Sequence, residues 1–99
     1  MNCPSYELFF ETFSNKTRMK IIEALALGPK SVNEICKLTK EEQSKVSHNL
    51  KKLTECNFLD FKRQGKKRIY ELNKDTIIPI LNLVEKHVEK YCKEVCHKK

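Results

Sequence analysis

A chain of 99 residues makes one domain with a modest core. Its 20 Lys and Arg against 13 Asp and Glu give a net charge of +7, which favours an anionic partner such as nucleic acid or an acidic membrane surface. No run approaches the ~18 apolar residues of a membrane span, and no basic leader precedes an apolar stretch at the N-terminus. The five cysteines (Cys3, Cys36, Cys56, Cys92 and Cys96) are odd in number and lack the spacing of a disulfide scaffold. A cytoplasmic protein with mainly reduced thiols is expected.

Tyr6, Phe9, Phe10 and Phe13 recur at helical spacing and predict a first helix over about 5–13. Ser14 or Asn15 can cap a second helix, whose stripe is Met19, Ile22, Leu25 and Ala26 and which ends at Gly28-Pro29. Ser31 stands three residues before Glu34, a capping-box spacing that opens a short helix to about Leu38. Thr39 and Glu42 repeat the spacing and predict a longer helix over about 40–55. Two capped helices joined by a turn outline a helix-turn-helix.

The period then changes. Leu59 and Phe61 alternate with Asp60 and Lys62, and Tyr70 and Leu72 flank Glu71. Gln64-Gly65-Lys66-Lys67 between them is a turn, so a β-hairpin is expected over about 58–72. Residues 57–73 carry five basic and two acidic side chains, the densest positive stretch of the chain. Asn73, Asp75 or Thr76 then caps a last helix over about 75–96, with Pro79 tolerated near its first turn.

On a helical wheel Val46, Leu50 and Leu53 fall on one side of the 40–55 helix. Ser44, Ser47, His48 and Lys51 fall outward, flanked by Lys45 and Lys52, with Gln43 a further DNA-contact candidate, and no acid lies between 43 and 52. Short hydrogen-bonding groups can reach base edges in a major groove while cations meet phosphates, although Glu41 and Glu42 oppose an anion at the helix start. Taken alone, such a helix reads first as an ordinary solvated amphipathic one. The downstream turn with Arg63, Lys66, Lys67 and Arg68 around Gly65 makes the combination far more specific.

These stretches resemble the ArsR/SmtB-type winged-helix regulators. The similarity runs in order through Ser14-Asn15-Lys16-Thr17-Arg18, Ser31-Val32-Asn33-Glu34-Ile35, Gln43 to Leu53, Arg63-Gln64-Gly65-Lys66 and Tyr70-Glu71-Leu72, covering about residues 5–90. The resemblance implies a single mainly α winged helix-turn-helix domain, ordered α-α-α-α-β-β-α and dimeric through its first and last helices. It also implies a homodimer that reads double-stranded DNA with the fourth helix, usually repressing transcription until an inducer binds. Asn49 stands where the family often has His, which bears on base preference.

In the last helix Ile77, Leu81, Val84, Val88, Tyr91 and Val95 are spaced 4, 3, 4, 3 and 4, an a/d stripe on a rod about 30 Å long. This stripe either packs on the chain's own core or pairs with a second copy. So small a domain has little core to cover it, so a self-association surface shared with Tyr6, Phe9, Phe10 and Phe13 is the expectation.

Many proteins of the resembled family bind a thiophilic metal through a Cys-x-Cys opening the third helix. Ser31 and Asn33 stand there, so that site is missing, and His87 has few partners for a second zinc arrangement and reads as solvated. Cys92, Cys96 and His97, joined by Cys3 if the first and last helices pack together, could hold zinc or a softer ion. The alternatives are an inert reduced tail or a disulfide between chains. No other cofactor is expected, and Cys36 and Cys56 read as core thiols.

No phosphate loop, nucleophile–base pattern or paired carboxylates point to an enzyme. The rival readings are a winged helix that binds proteins and a sequence-independent DNA-coating protein.

Overall fold

The computed structural model describes residues 6–92. In chain order they form α1 (Tyr6–Ser14), α2 (Lys16–Ala26), β1 (Lys30–Ser31), α3 (Val32–Thr39), α4 (Gln43–Glu55), β2 (Leu59–Gln64), β3 (Lys67–Leu72) and α5 (Ile77–His87), and α5 runs on as one wider π-helical turn, Val88–Cys92. This is a winged helix-turn-helix. The expected order holds, with one strand added.

The helix ends follow local chemistry. Asn15, and not Ser14, caps α2 by accepting from the Arg18 N–H. Ser31 opens α3 with a full capping box: its hydroxyl accepts from the Glu34 N–H at 3.3 Å, and the Glu34 carboxylate accepts from the Ser31 N–H at 2.8 Å. The backbone N–H of Ser31, aided by its hydroxyl, holds the Glu34 carboxyl below the usual range. The second expected capping box does not form. The Thr39 hydroxyl donates to the Ile35 carbonyl of its own helix, and Lys40 closes α3 in the left-handed region at φ 60°. The fourth helix therefore starts at Gln43 instead of Lys40, with Glu42 at the cap position and no side-chain cap bond.

At its other end α4 closes in a Schellman arrangement. The Phe58 N–H donates to the Leu53 carbonyl and the Asn57 N–H to that of Thr54, with Asn57 at φ 63°. The last helix begins at Ile77, later than expected. The Asn73 side chain accepts from the N–H groups of Asp75 and Thr76, and its carbonyl accepts from Ile77 and Ile78, so a turn precedes the helix.

β2 and β3 pair in antiparallel register from Leu59↔Leu72 to Gln64↔Lys67, with Gly65 at φ 62° in the turn. The two-residue β1 adds to the far side of β3 through Lys30↔Tyr70 and Ser31↔Ile69, giving the order β1-β3-β2. A strand of two residues is too short to show a period of two.

Ile21, Ile22 and Leu25 of α2, Ile35 of α3, and Val46, Leu50 and Leu53 of α4 meet Phe58, Leu59, Tyr70, Leu72 and Ile77 in one core. Ala24 is buried and Ala26 exposed, so the α2 stripe lies slightly round from the expected one. Cys36 and Cys56 are half-buried against this core.

Ser31→Ala should lower unfolding stability by about 1 kcal/mol. Because the folded state depresses the Glu34 pKa, the Glu34 contribution is present above the ordinary carboxylate range and lost as pH falls through its folded value. The gap in urea midpoint between the wild type and Glu34→Ala should therefore be largest near neutral pH and shrink below about pH 4. A gap independent of pH would show that the carboxylate charge plays no part.

Candidate nucleic-acid interface

Burial of Val46, Leu50 and Leu53 turns the opposite side of α4 to solvent, and Gln43, Ser44, Lys45, Ser47, His48, Lys51 and Lys52 are all exposed. On the hairpin, Arg63, Lys66, Lys67 and Arg68 are exposed as well. The two surfaces meet in a cleft of about 490 Å³ lined by Ser47 and Lys51 from α4 and by Phe61, Arg68 and Tyr70 from the hairpin. The structure thus brings Ser47, Lys51 and Arg68 together, while Lys66 and Lys67 stand at the hairpin tip.

Arg63 and Arg68 are direct cross-strand partners. Like charges in that position oppose the hairpin unless an anion lies between or beside them. Arg68 stacks its guanidinium 4.9 Å from the Phe61 ring centroid, and Phe61 in turn lies 5.7 Å from Tyr70. Lys45, in contrast, is partly spoken for. Glu41 lies 3.4 Å from Lys45 and 3.1 Å from Lys20 of α2, and these ammonium groups, Lys20 foremost, hold the Glu41 carboxyl below its usual range.

Asn49 belongs to this site in a way the sequence reading missed. It is buried, its amide donates to the Lys45 carbonyl at 2.9 Å, and its oxygen accepts from Arg18 Nε of α2 at 3.1 Å. The side chain therefore faces α2 and sets how α4 sits on it. The spacing of 46, 49, 50 and 53 was the available signal, since it puts Asn49 on the inward side.

The residues expected at a dimer surface divide into two groups. Phe9 and Phe13 stack on Phe58 at 5.0 and 5.2 Å, and Leu81 packs on the core, so all three are half covered by their own chain. Tyr6 (87% exposed), Phe10 (62%), Val84 (51%), Val88 (40%) and Tyr91 (63%) are open. Leu83, which lies off the a/d stripe, is open too. Val95 lies outside the described residues.

Of the metal candidates only Cys92 is described, and it is half-buried; Cys3, Cys96 and His97 lie outside the described residues. Among the described residues no three His, Cys, Asp or Glu side chains gather as a metal set. At the opening of α3 the Ser31 hydroxyl is committed to the helix cap and Asn33 offers an amide, a donor pair that does not fit a thiophilic ion.

Residues 15–60 match the family described as bacterial regulatory protein, arsR family. The match spans α2 to the start of β2 and so includes the whole helix-turn-helix segment. The chain has no match among curated proteins. Among solved structures it is similar to Rv0081 of M. tuberculosis, with TM-score 0.80, 26% identity, and 94% of this chain and 97% of that one covered. It is also similar to the homodimeric winged helix-turn-helix DNA-binding domain of Mb0332 from Mycobacterium bovis, a possible ArsR-family transcriptional regulator (0.78, 21%, 91% and 82%). A third likeness is to the transcriptional repressor BigR from Xylella fastidiosa (0.70, 24%, 84% and 82%). The fold is the winged helix-turn-helix of these structures, and the matched segment is described as that of bacterial regulatory proteins. No helix among the described residues is long and apolar enough to cross a membrane.

Asn49→Ala leaves Arg18 Nε without its partner and should cost about 1–3 kcal/mol in chemical unfolding. Adding Arg18→Met should recover much of the loss, because it removes the orphaned donor. Additive losses in that double-mutant cycle would show that the pair does not couple α2 to α4.

Proposed function

We propose that this chain is a homodimeric repressor that reads double-stranded DNA with the outer face of α4 and clamps the adjoining backbone with the β2–β3 wing. The observation that carries the reading is the single exposed surface made by Ser44, Ser47, His48 and Lys51 beside a hairpin whose arginines oppose each other across the strands. Ser47 and His48 supply hydrogen bonds to base edges, and Gln43 and Ser44 extend that row toward the helix start. Lys51, Lys52, Arg63, Lys66, Lys67 and Arg68 neutralise phosphates, with Lys45 contributing when Glu41 releases it. A protein-binding winged helix would need a broad apolar contact patch here, whereas the outer side of α4 is polar and cationic.

Twofold pairing is supported by the open face of Tyr6, Phe10, Val84, Val88 and Tyr91. The arrangement would set two α4 helices about 34 Å apart, one turn of DNA, for a pseudo-palindromic site. A cytoplasmic setting belongs to the same reading, as does a ligand set of Cys3, Cys92, Cys96 and His97, which metal content after reducing purification tests.

Affinity for duplex DNA should fall with salt at a log–log slope of about −0.9 per phosphate neutralised. Ser47→Ala and His48→Ala should shrink the ratio of specific to non-specific affinity, and Lys66→Ala should weaken both together. Equal losses in all three variants would favour sequence-independent coating, and a flat salt response would favour a protein partner. Val88→Asp should yield a monomer in sedimentation with a folded far-UV spectrum and weakened DNA binding. A dimer unaffected by that change would place the pairing surface elsewhere.

A further inference from the structure

We infer that the cleft between α4 and the wing is a binding site for an aromatic carboxylate bearing a hydrogen-bond donor, and that its occupant displaces DNA directly. The displacement half rests on the proposed DNA face. The site itself rests on the following geometry.

The cleft holds about 490 Å³, within the range of small-molecule sites. Its floor is aromatic: Phe61, 40% exposed, and the nearly buried Tyr70 lie 5.7 Å apart with their planes inclined by 42°. A phosphate would be satisfied by cations alone and has no use for that floor. A planar ring does, since stacked aromatic pairs at such distances are favourable beyond the area they bury.

The two cations of the cleft are uncommitted. Lys20, Lys45, Lys62 and Lys74 each lie within 4.0 Å of a carboxylate, whereas Lys51 and Arg68 form no ion pair among the described residues. The Arg68 guanidinium carbon lies over the Phe61 ring, 4.9 Å from its centroid, and the group's fork of N–H donors suits a carboxylate. Lys51 and Ser47 reach the cleft from the α4 side. Glu55 also lines it and disfavours a second negative charge. A phenol or indole N–H opposite Glu55 would satisfy that carboxylate. The complementary ligand is thus one ring, one carboxylate and one donor.

Occupancy and DNA binding compete because Ser47, Lys51 and Arg68 serve both. The test uses three probes, 4-hydroxybenzoate, salicylate and indole-3-carboxylate, with 4-hydroxybenzamide as the uncharged control. Titration of the full chain followed by backbone amide NMR should give saturable shifts in residues 47–55 and 61–70 for at least one acid. The control should bind about tenfold more weakly or worse, and Phe61→Leu and Arg68→Gln should each weaken the acid by about the same factor. The binding acid should lower affinity for a random-sequence duplex in the wild type and leave that of Phe61→Leu unchanged at equal concentration. Absence of saturable shifts for all three acids overturns the site. Shifts outside the cleft, or binding with DNA affinity unchanged, overturn it as a displacing site. Failure of the chain to bind duplex without any acid instead overturns the DNA reading, and the NMR arm still decides the site.

Discussion

The rotational setting of α4 on the core is the constraint from which the rest of the molecule follows. Val46, Leu50 and Leu53 are fully buried, and each contributes about 1.5–3 kcal/mol by leaving water. Turning the helix by one residue, about 100°, would lift these side chains out and drive Ser47 or Lys51 into the core. Aliphatic burial alone tolerates small rotations, because apolar contacts are non-directional. Asn49 removes that freedom, since its amide meets a fixed donor on α2 and a fixed carbonyl on α4. The outward row of Ser44, Ser47, His48 and Lys51 is therefore aimed by the inward row, and the Lys20–Glu41–Lys45 ion pairs brace the start of the same helix.

A second constraint is size. The core closes with the start of α5: Ile77 is buried and Leu81 half-covered, but Val84, Val88 and Tyr91 along the same stripe are open. The stripe is one pattern in sequence and two environments in space. Its first members complete the domain, and the later ones are exposed, as Tyr6 and Phe10 of α1 are. That much uncovered aromatic and aliphatic surface is the physical basis of the proposed pairing, because a domain this small has no core left to cover it.

Most of the architecture was legible because it was written in strong local signals. The capping box at Ser31 and Glu34, the burial of the 46/50/53 row and the alternation of Tyr70 and Leu72 with Glu71 survive in three dimensions, whereas on the facing strand Leu59 is buried and Phe61 is exposed. What was not legible involved competition between local partners. Thr39 had two possible acceptor and donor arrangements, and bonding back to Ile35 won over capping α4. Asn73 likewise spent its side chain on Asp75 and Thr76, and α5 started later. The Arg18–Asn49 pair spans 31 positions, so no window along the chain contains it. Phe9 and Phe13 show the limit of periodicity: spacing put four aromatic residues on α1, but only contact with Phe58 shows which of them face inward.

The wing illustrates how charge and packing can be set against each other. Arg63 faces Arg68 across the strands, an arrangement that weakens a free hairpin. The Arg68–Phe61 stack offsets part of that repulsion by giving one guanidinium an aromatic partner. An anion, whether a phosphate or a carboxylate, would relieve the remaining charge. Stability of the hairpin and occupancy of its face are consequently linked: whatever neutralises Arg63 and Arg68 also tightens the strands that carry them. In the proposed scheme a ligand seated against Phe61 and a DNA phosphate would gain from the same relief, so the two would compete for one favourable term and no signal would have to travel through the core.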